Sequence, residues 1–164
     1  MKVPTILPAM ALMALLTLSC STDAIEEDRI DAIVASYVPE TKTIEIEIME
    51  LINAHRIDQG LNVLTEMEII KAEAFGHTDY MIDNGAVSHD NFYQRRNNLV
   101  NNAGALQVGE NVAYGFSFAE SVVHAWLGSE GHRDVIEGDF THFDISAEQG
   151  ENGRWYYTNI FIKK

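Results

Sequence analysis

Residues 143–162 read FDISAEQGENGRWYYTNIFI. Two runs rich in β-branched and aromatic side chains, Phe143 to Ala147 and Arg154 to Ile162, flank the turn residues Gly150-Glu151-Asn152-Gly153. This predicts two strands joined by a turn. Upstream the pattern changes period. Ile44, Ile48, Leu51, Ile52 and His55 recur at helical spacing and predict a helix from about Thr43 to Asp58, capped by Thr41 or Thr43 and stopped by Gly60. A second helix is expected from about Glu66 to Asp83, with Ile69, Ile70, Ala74, His77 and Met81 on one face and Asn84-Gly85 as its end. A third is read over Asn91 to Val100, followed by the loop signals Asn101, Asn102 and Gly104. Asn111 to Tyr114 reads as a short strand, and Ser117 with Glu120 forms a capping box for a fourth helix carrying Val122, Val123 and Trp126. Helices first and strands mostly last favour an α+β fold with a small antiparallel sheet.

The chain opens with Met1-Lys2-Val3, an apolar run from Ile6 to Leu18, and then Ser19-Cys20. A single positive charge, a short apolar run and a small residue form the layout of a secretory signal over residues 1–19. The run is too short for a bilayer span, which needs roughly 20 apolar residues. Cys20, the only cysteine, stands where the signal should end and resembles the acylated cysteine of bacterial lipoproteins. Thr17 occupies a position where those signals usually carry Leu. Ordinary cleavage near Ser19 and secretion is the alternative. Residues 20–40 are expected to be the lipidated cysteine and an acidic tether. Ile30, Ile33, Val34 and Tyr37 have helical spacing, so a short amphipathic helix is the rival reading. The remainder, 41–164, has the size of one domain. One cysteine permits no internal disulfide, so the apolar core must hold the fold.

Cleavage after Ser19 removes one charged side chain, Lys2, and takes the formal charge from −14 to −15. So acidic a chain is a poor partner for nucleic acid, whose phosphates need basic neutralisation. Anionic lipid headgroups would repel it too, which assigns membrane attachment to the anchor.

Several phrases, taken in order, resemble the CAP superfamily (cysteine-rich secretory proteins, antigen five, pathogenesis-related one) in its bacterial SCP-like form. They are Asn53-Ala54-His55-Arg56 with Gly60-Leu61, then Ala74, His77 and Met81, and then Ser88-His89-Asp90 with Phe92 and Arg95. Gly109-Glu110-Asn111-Val112-Ala113 follows, then Trp126 and Ser129 leading into Gly131-His132-Arg133. Phe140-Thr141-His142, Tyr156-Tyr157 and Phe161 close the series. The resemblance covers about residues 44–162 and implies a three-layer α-β-α sandwich, whereas the residue pattern by itself gives only α+β.

The resemblance also implies a cleft with two His and two acidic side chains able to bind a divalent cation such as zinc. Residue by residue, His89 matches the first His, Glu110 the first Glu and His132 the second His. The second acidic position is Ser129 here, with Glu130 beside it, so the set is incomplete. Two imidazoles and one carboxylate suit zinc with an open coordination position, or acid–base work without metal. Spacings of 21 and 22 residues between the three carry no ligand signature of their own, and HExxH is absent. The structural alternatives are specific. His89 would cap a helix after Ser88, Glu110 would bind backbone amides, and His132 with Arg133 would pin the next loop. His142, near the predicted sheet edge, is a further candidate for lining the cleft.

Ser88-His89-Asp90 spells the letters of a hydrolase triad, but consecutive side chains diverge and cannot form the relay. Gly128-Ser129-Glu130-Gly131 lacks the spacing of a nucleophile elbow. His55 and His77 read as core histidines with hydrogen-bond partners, and His124 as exposed. Three functions stay open: a binding module of the cell envelope for a lipid, glycan or peptide; a metal-assisted hydrolase; and a non-catalytic interaction protein. The missing second acid and the lack of a nucleophile favour binding or interaction over catalysis.

Overall fold

The computed structural model describes residues 39–164. The expected export signal, Cys20 and nearly all of the acidic tether lie outside the described residues. Helix α1 spans Thr43–Asp58. Neither threonine caps it. Lys42 stands at the N-cap and its backbone N–H donates to Glu45 Oε2 at 2.7 Å. Strand β1 is the two residues Thr65–Glu66, and helix α2 runs Glu68–Asn84, ending at Gly85 in the left-handed region (φ 63°). Helix α3 is Phe92–Ala103, and strand β2 is Gln107–Tyr114. Helices α4 and α5 are Ala119–Gly128 and Glu130–Ile136. Strands β3, His142–Gln149, and β4, Trp155–Lys163, close the domain.

The sheet order is β1-β3-β4-β2. Strand β4 is antiparallel to both β2 and β3, while β1 adds two residues in parallel to the start of β3. The sheet is therefore mixed, a correction to the expected antiparallel one. β2 is also twice its expected length, because Gln107 to Glu110 pair in register with Lys163 to Ile160 and the partner strand overrides their weak local strand character. The expected Ser117 capping box does not form. Phe118 occupies the N-cap without a side-chain cap, and burial of Ala119, Val122, Val123 and Trp126 sets where α4 starts.

Side chains alternate across the strands and divide the interior in two. Tyr157 and Phe161 of β4, with Phe143, Ile145 and Ala147 of β3, face Ile48 and Ile52 of α1 and Val122 and Trp126 of α4. On the other face Ile160 and Ile162 pack with Ile70 and Ala74 of α2 and Leu99 of α3. Met81, Val112 and Tyr156 extend that second layer. The result is an α-β-α sandwich. Truncating one of its fully buried aromatics, such as Phe161, is expected to cost about 3–5 kcal/mol.

The buried face of α1 is Glu45, Ile48, Met49, Ile52 and Arg56, not the expected stripe; Ile44, Leu51 and His55 are only half-buried. Helix α1 turns this way because its two buried charges have fixed partners. Glu45 Oε1 accepts the Ala147 backbone N–H at 2.7 Å. The Arg56 guanidinium donates to the carbonyls of Asn62, Ile136 and Gly138, thereby capping the end of α5. No helix among the described residues is long and apolar enough to cross a membrane.

Candidate functional site

Strand β2 is the free edge opposite β1, and it carries the centre of the site. Glu110 points to the α2 and α3 side of the sheet, where it is 7% exposed. Asn111, the next residue, points to the α5 side and donates from Nδ2 to the His132 carbonyl at 3.0 Å. The adjacent Gly109 lets α5 come close. A Cβ there would lie 2.9 Å from Phe140 Cζ and 3.0 Å from Val135 Cγ1. Trp126 of α4 donates from Nε1 to the Val112 carbonyl at 3.0 Å, which fastens the same strand from the helix side.

Both oxygens of Glu110 are engaged. Arg95, in the first turn of α3, forks onto the carboxylate with Nε to Oε2 at 2.8 Å and Nη2 to Oε1 at 2.9 Å. Its remaining nitrogen donates to the Asp90 carbonyl at 2.7 Å, so the same guanidinium fixes the loop before α3. His89, in that loop, places Nδ1 2.8 Å from Glu110 Oε1. His77 of α2 lies beneath. It is buried, its Nε2 donates to the Ser88 carbonyl at 2.7 Å, and the same nitrogen is 4.0 Å from Glu110 Oε1. Two helices thus hold the residue before His89 and the residue after it by their backbones.

Burial alone would push the Glu110 carboxyl upward. The hydrogen bonds from His89 and Arg95, with the Arg95 charge, outweigh it and hold the group below the usual carboxylate range. Glu110 is therefore ionised and can only accept, which requires His89 to donate from Nδ1. The side chain of His89 is 52% exposed, so its other nitrogen, Nε2, is left as the group available to a ligand. His132, in the first turn of α5, is half-buried. Burial and the nearby His89 both push its pKa down, which keeps it neutral, and its Nδ1 has no partner among the described residues. His77 is likewise pushed down by burial.

The structure joins His89 directly to Glu110 and links His132 to the next strand position through its backbone. The other expected residues are placed apart. Ser129 is the N-cap of α5 without a side-chain cap, and Glu130 is exposed beside it. His142 does not line this cleft. It pairs with Ile162 of β4, whose other side pairs with Val108 of β2, so β4 stands between His142 and β2, and His142 Nδ1 lies 2.8 Å from Thr141 Oγ1. His55 bonds Glu137 at 2.9 Å but is half-buried and not the core histidine expected, whereas His124 is exposed as read from the sequence.

A divalent cation tests poorly against this geometry. Glu110 cannot turn to a cation without surrendering Arg95, and among the described residues no group of three His, Cys, Asp or Glu side chains is arranged to hold one. What the arrangement offers is a carboxylate-oriented imidazole beside a second, neutral imidazole. Arg95 and His77 carry no functional reading in the sequence. Their signal was a charge and an imidazole at inward positions of otherwise apolar helix faces.

Comparison with known proteins agrees with this architecture. An uncharacterised membrane protein of Bacillus subtilis, YlbC, is 33% identical over 126 residues, covering 74% of this chain and 35% of its own length. A second protein of that organism, YkwD, is 33% identical over 73% of this chain and 47% of its own length. The chain thus spans less than half the length of these curated relatives. Among solved structures, an SCP-domain extracellular protein of Bacillus anthracis aligns with a TM-score of 0.65 and 29% identity, over 74% of this chain and 40% of that one. An outer surface protein of Borrelia burgdorferi shares the fold, with a TM-score of 0.69 at 20% identity over 77% of this chain and 96% of that one. The family model for CAP, the cysteine-rich secretory protein family, matches residues 49–161, which is more than half of the sequence, and the chain belongs to that family.

Proposed function

We propose that this protein is an exported, Cys20-anchored CAP-domain protein of the bacterial envelope. Its cleft binds the polar part of an envelope lipid, glycan or peptide through His89 and His132. The observation that carries this reading is the double engagement of Glu110. With both oxygens held by Arg95 and His89, the carboxylate acts as the fixed support of an imidazole. An oriented imidazole with one free nitrogen donates or accepts a single directional hydrogen bond to a ligand hydroxyl, amide or anionic oxygen. The alternative, metal-assisted hydrolysis, would have to rest on His89 Nε2 and His132 with Glu110 behind them, the outer position that carboxylates take around metal-bound imidazoles. The relatives named as membrane, extracellular or surface proteins support an envelope location.

The test uses the full chain in its own membrane. A photo-crosslinking side chain replaces Tyr93, which is 79% exposed four residues beyond His89. A discrete adduct is expected, and it should disappear in His89→Ala/His132→Ala while the folded protein persists. An adduct untouched by the double substitution, or purified protein retaining one zinc per chain that the same substitution removes, overturns the binding reading. Cys20→Ala should move the protein from the membrane to the soluble fraction.

A further inference from the structure

On the far flank of the same sheet, where β3 emerges from its short pairing with β1, a cavity of about 340 Å³ opens between α2 and the segment leading into α1. Its lining includes Glu40, Glu66, Glu68, Lys71 and Asp144. Asp144 is 5% exposed, yet it contributes to the cavity wall. Lys71 is the cation nearest to hand, and it is committed elsewhere. Its ammonium lies 2.6 Å from Glu45 Oε2 and donates to the Ile145 carbonyl at 2.6 Å. Among the described residues, Asp144 therefore has no ammonium or guanidinium at ion-pair distance. Its carboxylate receives the N–H of Ile145 at 2.8 Å and a long bond from Met67 N–H at 3.3 Å, leaving lone pairs free.

A buried carboxylate without a counter-charge is costly unless it takes up a proton or a cation. Here burial raises the Asp144 carboxyl to about 7, against the lowering from Ile145 N–H and Lys71; Glu66 adds to the rise. Every other charge around the cavity is negative or already neutralised: Glu66 from β1, Glu68 from α2, Glu40 from the leading segment, and Lys71 matched by Glu45 of α1. The field inside thus favours a cation. These side chains do not converge as a set of metal ligands among the described residues, whereas the volume suits a small organic group.

We infer that this cavity is a second ligand site, separate from the His89 cleft, which takes an organic cation bearing a primary ammonium or guanidinium group and seats that group against Asp144. The incoming N–H groups satisfy the free lone pairs, and the ligand charge replaces the proton.

The probes are n-butylammonium and n-butylguanidinium, added to the full chain at constant ionic strength, with tetramethylammonium as a cation that cannot donate hydrogen bonds. Binding is followed by the amide resonances of Met67 and Ile145 and by the carboxyl carbon of Asp144. Saturable shifts are expected for the two donors and not for tetramethylammonium. Because only ionised Asp144 accepts the ligand, affinity should rise about tenfold between pH 6 and pH 8, and saturating ligand should lower the Asp144 midpoint. Asp144→Asn should abolish the pH dependence. Glu66→Gln, on the exposed rim, should keep the pH dependence and weaken binding by about twofold to fivefold. Absence of saturable shifts at pH 8, an equal response to tetramethylammonium, or an unchanged pH slope in Asp144→Asn would each overturn the proposal. None of these measurements involves His89 or His132.

Discussion

Glu110 and Asp144 sit on one row of the sheet. Each is paired in register with Ile160, one from either side, and both face α2. Their exposures are nearly equal, at 7% and 5%. Their carboxyl groups nevertheless shift in opposite directions, Glu110 down and Asp144 up. Burial pushes both upward, so burial cannot be what separates them. The difference is in the partners: His89 and Arg95 both donate to Glu110, whereas Asp144, among the described residues, accepts only backbone N–H groups. Arg95 forks onto Glu110, while Lys71 turns from Asp144 to Glu45. A paired carboxylate makes a rigid support for an imidazole. An unpaired one beside a cavity makes a group that titrates near neutrality and gains from a cation.

The strongest way to break this comparison is to remove the paired carboxylate. Glu110→Ala leaves the Arg95 guanidinium buried without a counter-charge and should cost about 3–5 kcal/mol in denaturant unfolding at pH 7. The sharper form is the double substitution Arg95→Met/Glu110→Met. Removing both charges together should be far less damaging than removing Glu110 alone, since no buried ion is stranded. Equal loss in the single and double variants would mean that shape, not charge, holds this corner. The linkage sign follows from the downward shift. The stability Glu110 contributes is present above its unfolded pKa and is lost as the pH falls through its lower folded value.

Asp144 should behave in the opposite sense, with a smaller effect. Its folded pKa is raised to about 7, so its contribution is full below the unfolded value and is lost as the pH rises through about 7. Asp144→Asn does not titrate. The wild-type protein should therefore lose on the order of 2–3 kcal/mol relative to this variant between pH 5 and pH 8. Paired urea titrations at the two pH values check this. A constant difference would show that Asp144 is paired in solution and would remove the contrast with Glu110.

How much of this the sequence discloses differs between the two ends. The apolar periodicities of α1, α2 and α4 and the final strand pair are legible, because core burial imposes them on neighbouring residues. The resemblance names His89, Glu110 and His132 together, a trio that spacing alone would not connect, while the strand under Glu110 and the helix under His132 are not read from the sequence. What escapes is set by contacts across long separations. Helix α5 is only a single short stretch that Arg56 caps from α1, and β1 exists because two residues find the start of β3. Glu45 and Lys71 interrupt apolar faces on two different helices, and only folding brings them together. A charged residue in step with buried neighbours, as Glu45 is with Ile48, Met49 and Ile52 and Lys71 with Ile70 and Ala74, is the trace that pair leaves in the sequence.

The smallest expected effect concerns the exposed member of the paired end. His89→Ala removes one hydrogen bond from a half-exposed side chain and should cost less than about 1 kcal/mol in stability. It should still move Glu110, because the His89 hydrogen bond is among the influences that hold that carboxyl down. The Glu110 midpoint, followed through its carboxyl carbon resonance, should rise in His89→Ala while Arg95 keeps the group ionised at neutral pH. A stability loss as large as that of Glu110→Ala would make His89 part of the structural support. A small loss with a shifted midpoint would leave it as the group that Glu110 and Arg95 are built to present.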